Sequence, residues 1–224
     1  MRLPGGRWSY DLWGQHGRPV VLIPAVLFDR VSWWPAAADL RPYATVIAVD
    51  LPGHGSSTPR EQYNPEELVD DLACLIDSLQ VRRAPVIVGH GPSAVLATLF
   101  AARYATHAVV AVDPAPPCRL AAGLDAYLRA MGAGVIPEQY RSMVDTCHDP
   151  SLLHAYAAGL CRLRPVAALG TTSARLAVHS QPPDLRSTDP DPGQHWRHEI
   201  YDVPGRVAHL SAAHRFVTDL HALL

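Results

Sequence analysis

Short apolar runs alternate along the chain with segments in which apolar residues recur at helical spacing. Each run is only a few residues long and rich in valine, isoleucine and alanine, which is typical of strands buried on both faces of a parallel sheet. We therefore predict strands at 20–23, 45–50, 86–88, 108–113, 174–178 and 199–203.

The segments between these strands predict helices. The clearest begins at Pro65, where proline takes an early helical position and Glu66 and Glu67 lie in the first turn. Its apolar residues recur at helical spacing: Leu68, Leu72, Leu75, Ile76 and Leu79. Further helices are predicted up to Leu40, at 92–104 and at the C-terminal end. Because strands and helices alternate, the predicted fold class is α/β, with a mostly parallel sheet and helices on both faces.

The middle of the chain departs from this alternation of strands and helices. Residues 118–164 contain no strand pattern but three modest helical patterns, at 120–131, 137–146 and 151–163. This stretch is too long for a crossover, so we predict a small helical cap at 117–165 inserted into a core formed by 1–116 and 166–224. Ligands of such sheets bind over the carboxyl ends of the strands, where this cap would lie.

Composition narrows the class of protein. The chain has 224 residues, 48% of them hydrophobic, and a formal net charge of -2. This suits one globular domain and gives no electrostatic case for nucleic acid or an anionic membrane as a partner. We see no secretory signal and no membrane-spanning stretch, and the scattered cysteines read as reduced thiols, so we expect a cytoplasmic protein. The oligomeric state is left open.

The stretch 85–97 carries the main motif. A strand, a glycine-rich break and an alanine-rich helix follow one another, as in the G-x-S-x-G elbow that presents a nucleophile above a sheet. The corresponding positions here run from Gly89 to Ser93, and glycine, Gly91, takes the nucleophile's place. The next residue is Pro92, which has no backbone N–H to donate.

Together with their order along the chain, these features resemble the α/β-hydrolase superfamily. The resemblance rests on the Trp-Trp pair at 33–34, the turn at 49–57, the elbow at 88–90, the strand end at 112–114 and the Val-Pro-Gly at 203–205. It covers nearly the whole chain and implies the α/β-hydrolase fold.

The resemblance also implies where the family's catalytic groups would lie. The histidine position falls on Ala208 when no gap is allowed, with His209 one step further on, and the nearest carboxylate for the acid is Asp184. One oxyanion donor would be Pro92, which cannot donate, and the other would come from the loop at 24–26, through Val26. We therefore predict that the chain is not a serine hydrolase of the standard type.

Other candidate groups have simpler interpretations. The sequence Cys147-His148-Asp149 contains the three residue types of a catalytic triad. Consecutive helical residues point about 100° apart, however, so their side chains cannot converge on one site. A serine at position 93 more often caps or packs a helix than attacks. His195 and His198 give no metal set, and we expect no metal and no cofactor. His54, His90, Asp50 and Asp113 are interpreted mainly as structural residues of turns.

A binding site nevertheless survives in this interpretation. The N–H groups at the start of the helix after the elbow favour an anion such as a carboxylate, and Gly91 leaves room for a ligand beneath the cap. The predicted partner is a small molecule or peptide substrate. The predicted substrate-binding residues are Ala25, Val26, Leu27, Gly91, Pro92, Ser93, Asp113 and His179.

These observations leave three functional hypotheses. The first is a non-hydrolytic tailoring enzyme, an epimerase, isomerase or cyclase like the triad-lacking members of this fold in natural-product pathways. The second is a non-catalytic small-molecule binder or partner protein. The third is a residual hydrolase that uses Ser93 with His209 or His179.

Overall fold

A seven-stranded sheet forms the centre of the part of the chain that the computed structural model describes, residues 1–3, 5–144, 149–163, 173–182 and 196–224. A separate antiparallel ribbon precedes it, made of β1 (Arg2–Leu3) and β2 (Gly6–Arg7). The strands of the main sheet are β3 (Tyr10–Trp13), β4 (Arg18–Ile23), β5 (Ala44–Val49), β6 (Val86–His90), β7 (Ala108–Val112), β8 (Ala174–His179) and β9 (Arg197–Ile200).

Helices cover both faces of this sheet and form the segment between β7 and β8. The α-helices of the described residues are α1 (Trp34–Leu40), α2 (Pro65–Ser78), α3 (Ala94–Arg103), α4 (Leu124–Met131), α5 (Arg141–Val144), α6 (Ser151–Leu160), α7 (Ala208–Ser211) and α8 (Ala213–His221). Short 3-10 turns precede α1 at Arg30–Trp33, α3 at Gly91–Ser93, α4 at Pro117–Ala122 and α5 at Glu138–Tyr140, and another follows α4 at Ala133–Val135.

The strand order is β3-β5-β4-β6-β7-β8-β9, and every neighbouring pair except β3 with β5 is parallel. This confirms the predicted α/β-hydrolase fold with its mostly parallel sheet. The antiparallel edge strand β3 was not among the predicted strands, because its alternation is loose and it is exposed on one side, with Leu12 pointing to solvent.

The two faces of the sheet bury separate apolar clusters. Alternate strand residues such as Ile23, Ile87 and Ala177 pack with α2, α3 and the helices after β7, and we call this the cap-side face. The intervening residues, such as Val88 and Val178, pack against α1 and α8 on the opposite face. Because each fully buried aliphatic side chain contributes about 1.5–3 kcal/mol, both faces of the strands must be apolar, as the sequence pattern predicts.

Helix α2 begins where its sequence predicts. The Asn64 side chain accepts a hydrogen bond from the Glu66 N–H at 3.0 Å, and Pro65 takes the first helical position. Both features fix the N-terminal turn, since they satisfy or remove backbone donors that have no helical partner.

The structure changes several predicted boundaries. The strand predicted to end at Val88 continues to His90, and regular helix begins only at Ala94, because the backbone turns sharply at Gly91. The helix predicted at 120–131 is divided at Gly123, whose φ is 89°. The last predicted strand ends early, before Asp202 with a φ of 54°.

The close approach of α3 to β6 depends on Gly89. A Cβ at this position would lie 2.6 Å from the Ser93 backbone oxygen and 2.7 Å from the Ala94 Cα. Both clashing atoms belong to the backbone at the start of α3, so neither can move away as a flexible side chain would. The elbow can therefore form in this shape only with glycine at position 89.

Replacing Gly89 with alanine is expected to destabilise the protein by about 2 kcal/mol or more, because the helix must move away from the strand. Urea denaturation monitored by circular dichroism measures this loss. Gly134→Ala is the matched control, since a Cβ there meets nothing within 4 Å and should change stability by less than about 0.5 kcal/mol. Equal effects of the two substitutions would contradict the assignment.

Candidate functional site

The elbow keeps the backbone shape that presents a nucleophile, although its tip is glycine. Gly91 is buried at the end of β6 and has a φ of 57°, in the left-handed region that side chains rarely adopt. Such a turn between strand and helix is the geometry of the G-x-S-x-G elbow. The structure thus places Gly91 at the position that the sequence motif assigned to it.

The space directly beside Gly91 is bordered by the loop after β4 and by α4. A Cβ at Gly91 would lie 3.4 Å from the Ala25 Cβ, 3.6 Å from the Met131 Cε and 3.8 Å from the Met131 Sδ. These are ordinary contact distances, so a small side chain would fit here. The Met131 thioether therefore lies where the reacting groups of a substrate would approach an elbow nucleophile.

The residues after Gly91 offer fewer backbone donors than the sequence suggested. Pro92 has no N–H, and the Ala94 N–H bonds back to the carbonyl oxygens of Gly91 and Pro92. The Ser93 side chain is fully buried and makes no capping hydrogen bond. Within the described residues its hydroxyl has no hydrogen-bond partner at all, so of the two structural roles expected for it, packing is the one observed.

A network of hydrogen bonds holds the loop that would supply the second oxyanion donor. The Leu27 N–H donates to His54 Nε2 at 2.8 Å, which leaves His54 Nδ1–H to donate to the Pro52 carbonyl at 3.1 Å. The Tyr127 hydroxyl of α4 donates to the Val26 carbonyl at 2.8 Å, and burial raises the pKa of Tyr127, so it remains a donor. His54 is therefore structural, as its turn motif indicated.

The helix α6 reaches the same network from the other side. The Tyr156 hydroxyl donates to the Pro52 carbonyl at 2.9 Å, and the Tyr156 ring meets His54 edge-on with ring centroids 5.4 Å apart. Burial raises the pKa of Tyr156 well above its usual value, so this hydroxyl also stays protonated. Two tyrosines from different helices of the cap segment thus fix the loop and its supporting turn.

The loop after β9, which carries the catalytic histidine in hydrolases of this fold, is tied to α4. The Arg206 N–H donates to the Met131 carbonyl at 3.0 Å, and His90 Nε2–H donates to the Arg206 carbonyl at 2.7 Å. Next to this bond, a Cβ on Gly132 would lie 2.6 Å from the Gly205 Cα. The two backbones are in direct contact at these glycines.

His209 lies in an aromatic cluster on the opposite face of the sheet. Its ring is fully buried, with centroids 4.1 Å from Trp33, 4.6 Å from His90 and 6.2 Å from Phe216. Among the described residues neither ring nitrogen makes a hydrogen bond of regular distance and angle, although the Ser32 backbone lies near enough to favour the protonated ring weakly. Burial, followed by the neighbouring His90, holds the pKa of His209 well below its ordinary value, so the ring is neutral.

Asp113 is committed to the backbone around it. Its carboxylate accepts hydrogen bonds from the Ser180 N–H at 2.6 Å, the Ser180 hydroxyl at 2.7 Å and the Ala208 N–H at 3.0 Å. These bonds join the ends of β7 and β8 to the start of α7. The buried Ala208 is held here through its backbone N–H. Asp113 has the structural role that we expected for it. Its contact with a substrate stays a prediction.

His179 ends β8 on the cap-side face and pairs with His198 of β9. His179 Nε2 lies 3.0 Å from His198 Nδ1, and the rings are nearly parallel. Burial, His198 and Arg206 together lower the pKa of His179 to about 4, against a smaller opposing effect of Asp113. His179 is therefore neutral at neutral pH.

Some predicted residues lie outside the described residues. These are Asp184, the nearest candidate for the acid, together with Cys147, His148 and His195. Within the described ranges, no group of three or more histidine, cysteine or acidic residues is placed to hold a metal ion. No described helix is long and apolar enough to cross a membrane.

The sequence analysis did not single out the residues of α4 and α6 that border the site. Three of these residues are almost fully buried: Met131, Tyr127 and Tyr156. Arg206, also not singled out, connects the loop after β9 to α4 through its backbone hydrogen bond to Met131. The helical patterns of the cap segment were too weak to indicate which face points inward. The one available signal was the presence of long apolar and aromatic residues in a segment that caps a sheet.

The fold and this site define a protein of the α/β-hydrolase class. The sequence matches the model of the alpha/beta hydrolase family over residues 7–221. The chain belongs to this family.

Solved structures of similar fold agree with this assignment. One of them is an AqdC variant in complex with its substrate, described as the structural basis for recognition and ring-cleavage of the Pseudomonas quinolone signal. It superimposes with a TM-score of 0.83 at 18% identity, and the match covers 100% of this chain and 97% of that one. The enol-lactonase of Burkholderia xenovorans LB400 gives a TM-score of 0.71 at 18% identity, covering 100% and 98%. At these identities the likeness concerns the fold.

One curated protein resembles part of the chain in sequence. The dihydrolipoyllysine-residue acetyltransferase component of the acetoin cleaving system of Pseudomonas putida is 35% identical over 85 residues. The match covers 38% of this chain and 22% of that protein, so the chain spans less than a quarter of its length in this match.

The environment of His209 makes a pH-dependent prediction. Its pKa in the folded state lies below the value of about 6.5 expected in the unfolded chain. The contribution of the neutral His209 to the free energy of unfolding is therefore fully present above pH ~6.5. It is lost as the pH falls, because the unfolded chain then binds a proton that the folded chain excludes. His209→Phe should reduce this loss by up to about 1.4 kcal/mol per pH unit.

Urea denaturation at pH 7.5 and pH 5 measures the effect. Since neither ring nitrogen of His209 makes a regular hydrogen bond among the described residues, His209→Phe should cost little at pH 7.5. His90→Phe is the comparison, because it removes the donor to the Arg206 carbonyl and should destabilise the protein by about 1–3 kcal/mol. An unchanged pH dependence in His209→Phe would contradict the neutral, buried assignment.

Proposed function

We propose that this chain is an α/β-hydrolase-fold enzyme that rearranges a small organic molecule or peptide without a serine nucleophile. An epimerase, isomerase or cyclase acting on a natural-product intermediate held under the cap fits the arrangement best. The observation that carries the proposal is Gly91, which keeps the elbow's left-handed backbone but has no side chain to attack with.

The neighbours of Gly91 support the same conclusion. Pro92 cannot donate to an oxyanion, and losing one such donor typically lowers the rate of acyl transfer about 100- to 1000-fold. The ring of His209 packs against Trp33 on the opposite face of the sheet, where it cannot serve a group at Gly91. A nucleophile, an oxyanion donor and a base are therefore all unaccounted for at their usual positions.

The surrounding residues are suited to hold and shield a substrate. Met131 is flexible and unbranched, so its thioether can move aside or reshape around a ligand. The buried Tyr127 and Met131 would exclude water and orient the substrate, which are contributions that do not require a covalent step. His179, neutral at neutral pH and on the cap-side face, is a candidate acceptor for a proton.

Similar structures indicate what kind of substrate to test. One neighbour is described as cleaving the ring of a quinolone signal and another as an enol-lactonase. Both descriptions refer to small cyclic molecules that carry oxygen functions. We infer that cyclic, carbonyl-bearing metabolites are the first class to examine with this chain.

A non-catalytic binder is the second candidate function, and the tight closure of the site favours it. The Tyr127–Val26 hydrogen bond, the Arg206–Met131 hydrogen bond and the Gly132–Gly205 contact all hold α4 against the core. A protein that only binds could use a site held as rigidly as this one. A hydrolase based on Ser93 is less well supported, because its buried hydroxyl has no partner among the described residues to activate it.

Restoring a serine tests whether hydrolytic machinery remains. In Gly91→Ser the Cβ meets only ordinary contacts, and the left-handed φ of 57° adds strain of about 1–2 kcal/mol, so the variant should fold with reduced stability. It should hydrolyse p-nitrophenyl acetate no faster than the natural chain. A fluorophosphonate probe should leave Ser93 of the natural chain unlabelled. Strong esterase activity of Gly91→Ser, or labelling of Ser93, would show that the machinery is intact and would refute the proposal.

A mass measurement tests the rearrangement itself. The natural chain is incubated in D₂O with a bacterial metabolite extract, and the products are compared by mass spectrometry with those of heat-denatured protein. A rearrangement that moves protons should give an isomer that carries solvent deuterium, whereas hydrolysis adds the mass of water. A ligand that stabilises the protein but is recovered unchanged would instead favour the binder.

A further inference from the structure

Arg206 is a half-buried arginine whose guanidinium has no ion-pair or hydrogen-bond partner in the part of the chain that the structure describes. Five other arginines of the described residues have acidic partners: Arg30, Arg60, Arg103, Arg197 and Arg215. Several that lack one, such as Arg82, Arg83 and Arg129, are exposed to solvent instead. Burying a guanidinium without a counter-ion is costly. The contrast identifies Arg206 as a cation prepared for a partner from outside the chain.

The position of Arg206 is fixed by its own backbone. Its N–H bonds to the Met131 carbonyl and its carbonyl accepts from His90. Met131 lies beside Gly91, and His90 immediately precedes it. The guanidinium therefore extends from a rigid base next to the elbow rather than from a mobile loop.

A second arginine lies close to the first. Arg119 belongs to the 3-10 turn Pro117–Ala122, and its positive charge acts on Arg206. Among the described residues Arg119 also has no acidic partner. The turn is anchored by the fully buried Leu120, and just before it the Ala115 N–H donates to the Gly91 carbonyl at 3.3 Å.

The nearest carboxylate cannot satisfy either arginine. Asp113 acts electrostatically on Arg206, but it lies outside ion-pair distance and its oxygens accept from Ser180 and Ala208. Burial and the charge of Arg119 lower the pKa of Arg206, which means that the cationic form lacks compensation where it stands. An added anion would supply that compensation.

We propose that Arg206 and Arg119 bind the carboxylate of an organic ligand whose apolar part lies against Met131 and Tyr127. The proposal rests on the proposed function and names the substrate class of that same site. A guanidinium presents parallel N–H donors that match the two oxygens of a carboxylate. Met131, whose carbonyl accepts from the Arg206 N–H, and Tyr127, one turn earlier in α4, both bury their side chains toward the core. Apolar and aromatic side chains of this kind suit a ring or alkyl group better than a small inorganic ion.

Binding of benzoate to the full-length chain tests the proposal. Calorimetric titration should give saturable binding to the natural chain and about ten- to a hundredfold weaker binding to Arg206→Gln, because a charge-assisted hydrogen-bonded contact is lost. Arg119→Gln should weaken binding in the same direction. Arg206→Lys should retain part of the affinity, since it keeps the charge but not the paired donors.

The matched control is Arg83→Gln, which removes the same charge from an exposed arginine elsewhere and should leave benzoate binding unchanged. Inorganic phosphate is titrated in parallel. Tighter binding of phosphate than of benzoate at Arg206 would overturn the assignment to a carboxylate. Failure of benzoate to bind, or equal binding by Arg206→Gln, would overturn the site. If Arg206→Gln does not fold, Arg119→Gln and Arg206→Lys decide the question.

The outcome is separable from that of the proposed function. Benzoate binding that depends on Arg206, with no conversion of any metabolite, would support the anion site and favour a binder over an enzyme. Isomerisation without Arg206-dependent binding would leave the enzymatic proposal standing and remove only the carboxylate site.

Discussion

The contact between Gly132 and Gly205 determines how α4 meets the loop after β9. Both residues have a positive φ, and the backbones approach so closely that a Cβ on Gly132 would lie 2.6 Å from the Gly205 Cα. This approach brings the Met131 carbonyl within reach of the Arg206 N–H, and it places the Met131 thioether beside Gly91. The form of the site above the elbow therefore depends on a contact between two glycines that are far apart in sequence.

The polar side chains around the elbow mainly hold backbone in place. His54 fixes the loop at Leu27, His90 fixes the loop at Arg206, and Asp113 joins Ser180 to Ala208. Buried polar groups are costly unless bonded, so these bonds account for most of the buried polarity that the site contains. Among the described residues, the Ser93 hydroxyl and the ring nitrogens of His209 are buried without a regular hydrogen bond and are neutral. The guanidinium of Arg206 differs from them because it carries a charge.

Much of the fold could be predicted from the sequence, because parallel strands buried on both faces must be apolar and α2 carries its own capping residues. The elbow at Gly91 was also predictable, since a left-handed turn between strand and helix requires a residue that tolerates it. The exposed strand β3 has no such pattern. The contribution of Met131, Tyr127 and Arg206 could not be predicted, because it depends on how α4 docks, and docking is decided by contacts between segments distant in sequence.

The backbone around the elbow is strained at two residues that are not glycine. Leu27 and Asp113 adopt φ values of 69° and 45°, which cost of order 1–3 kcal/mol each for residues with side chains. Both lie in the backbone that surrounds Gly91, one in the loop after β4 and one at the end of β7. A chain that had lost its elbow nucleophile and needed only a stable fold would gain by relaxing these turns. Strained residues of this kind cluster at active sites and ligand sites, and these two border the site for which we propose a ligand.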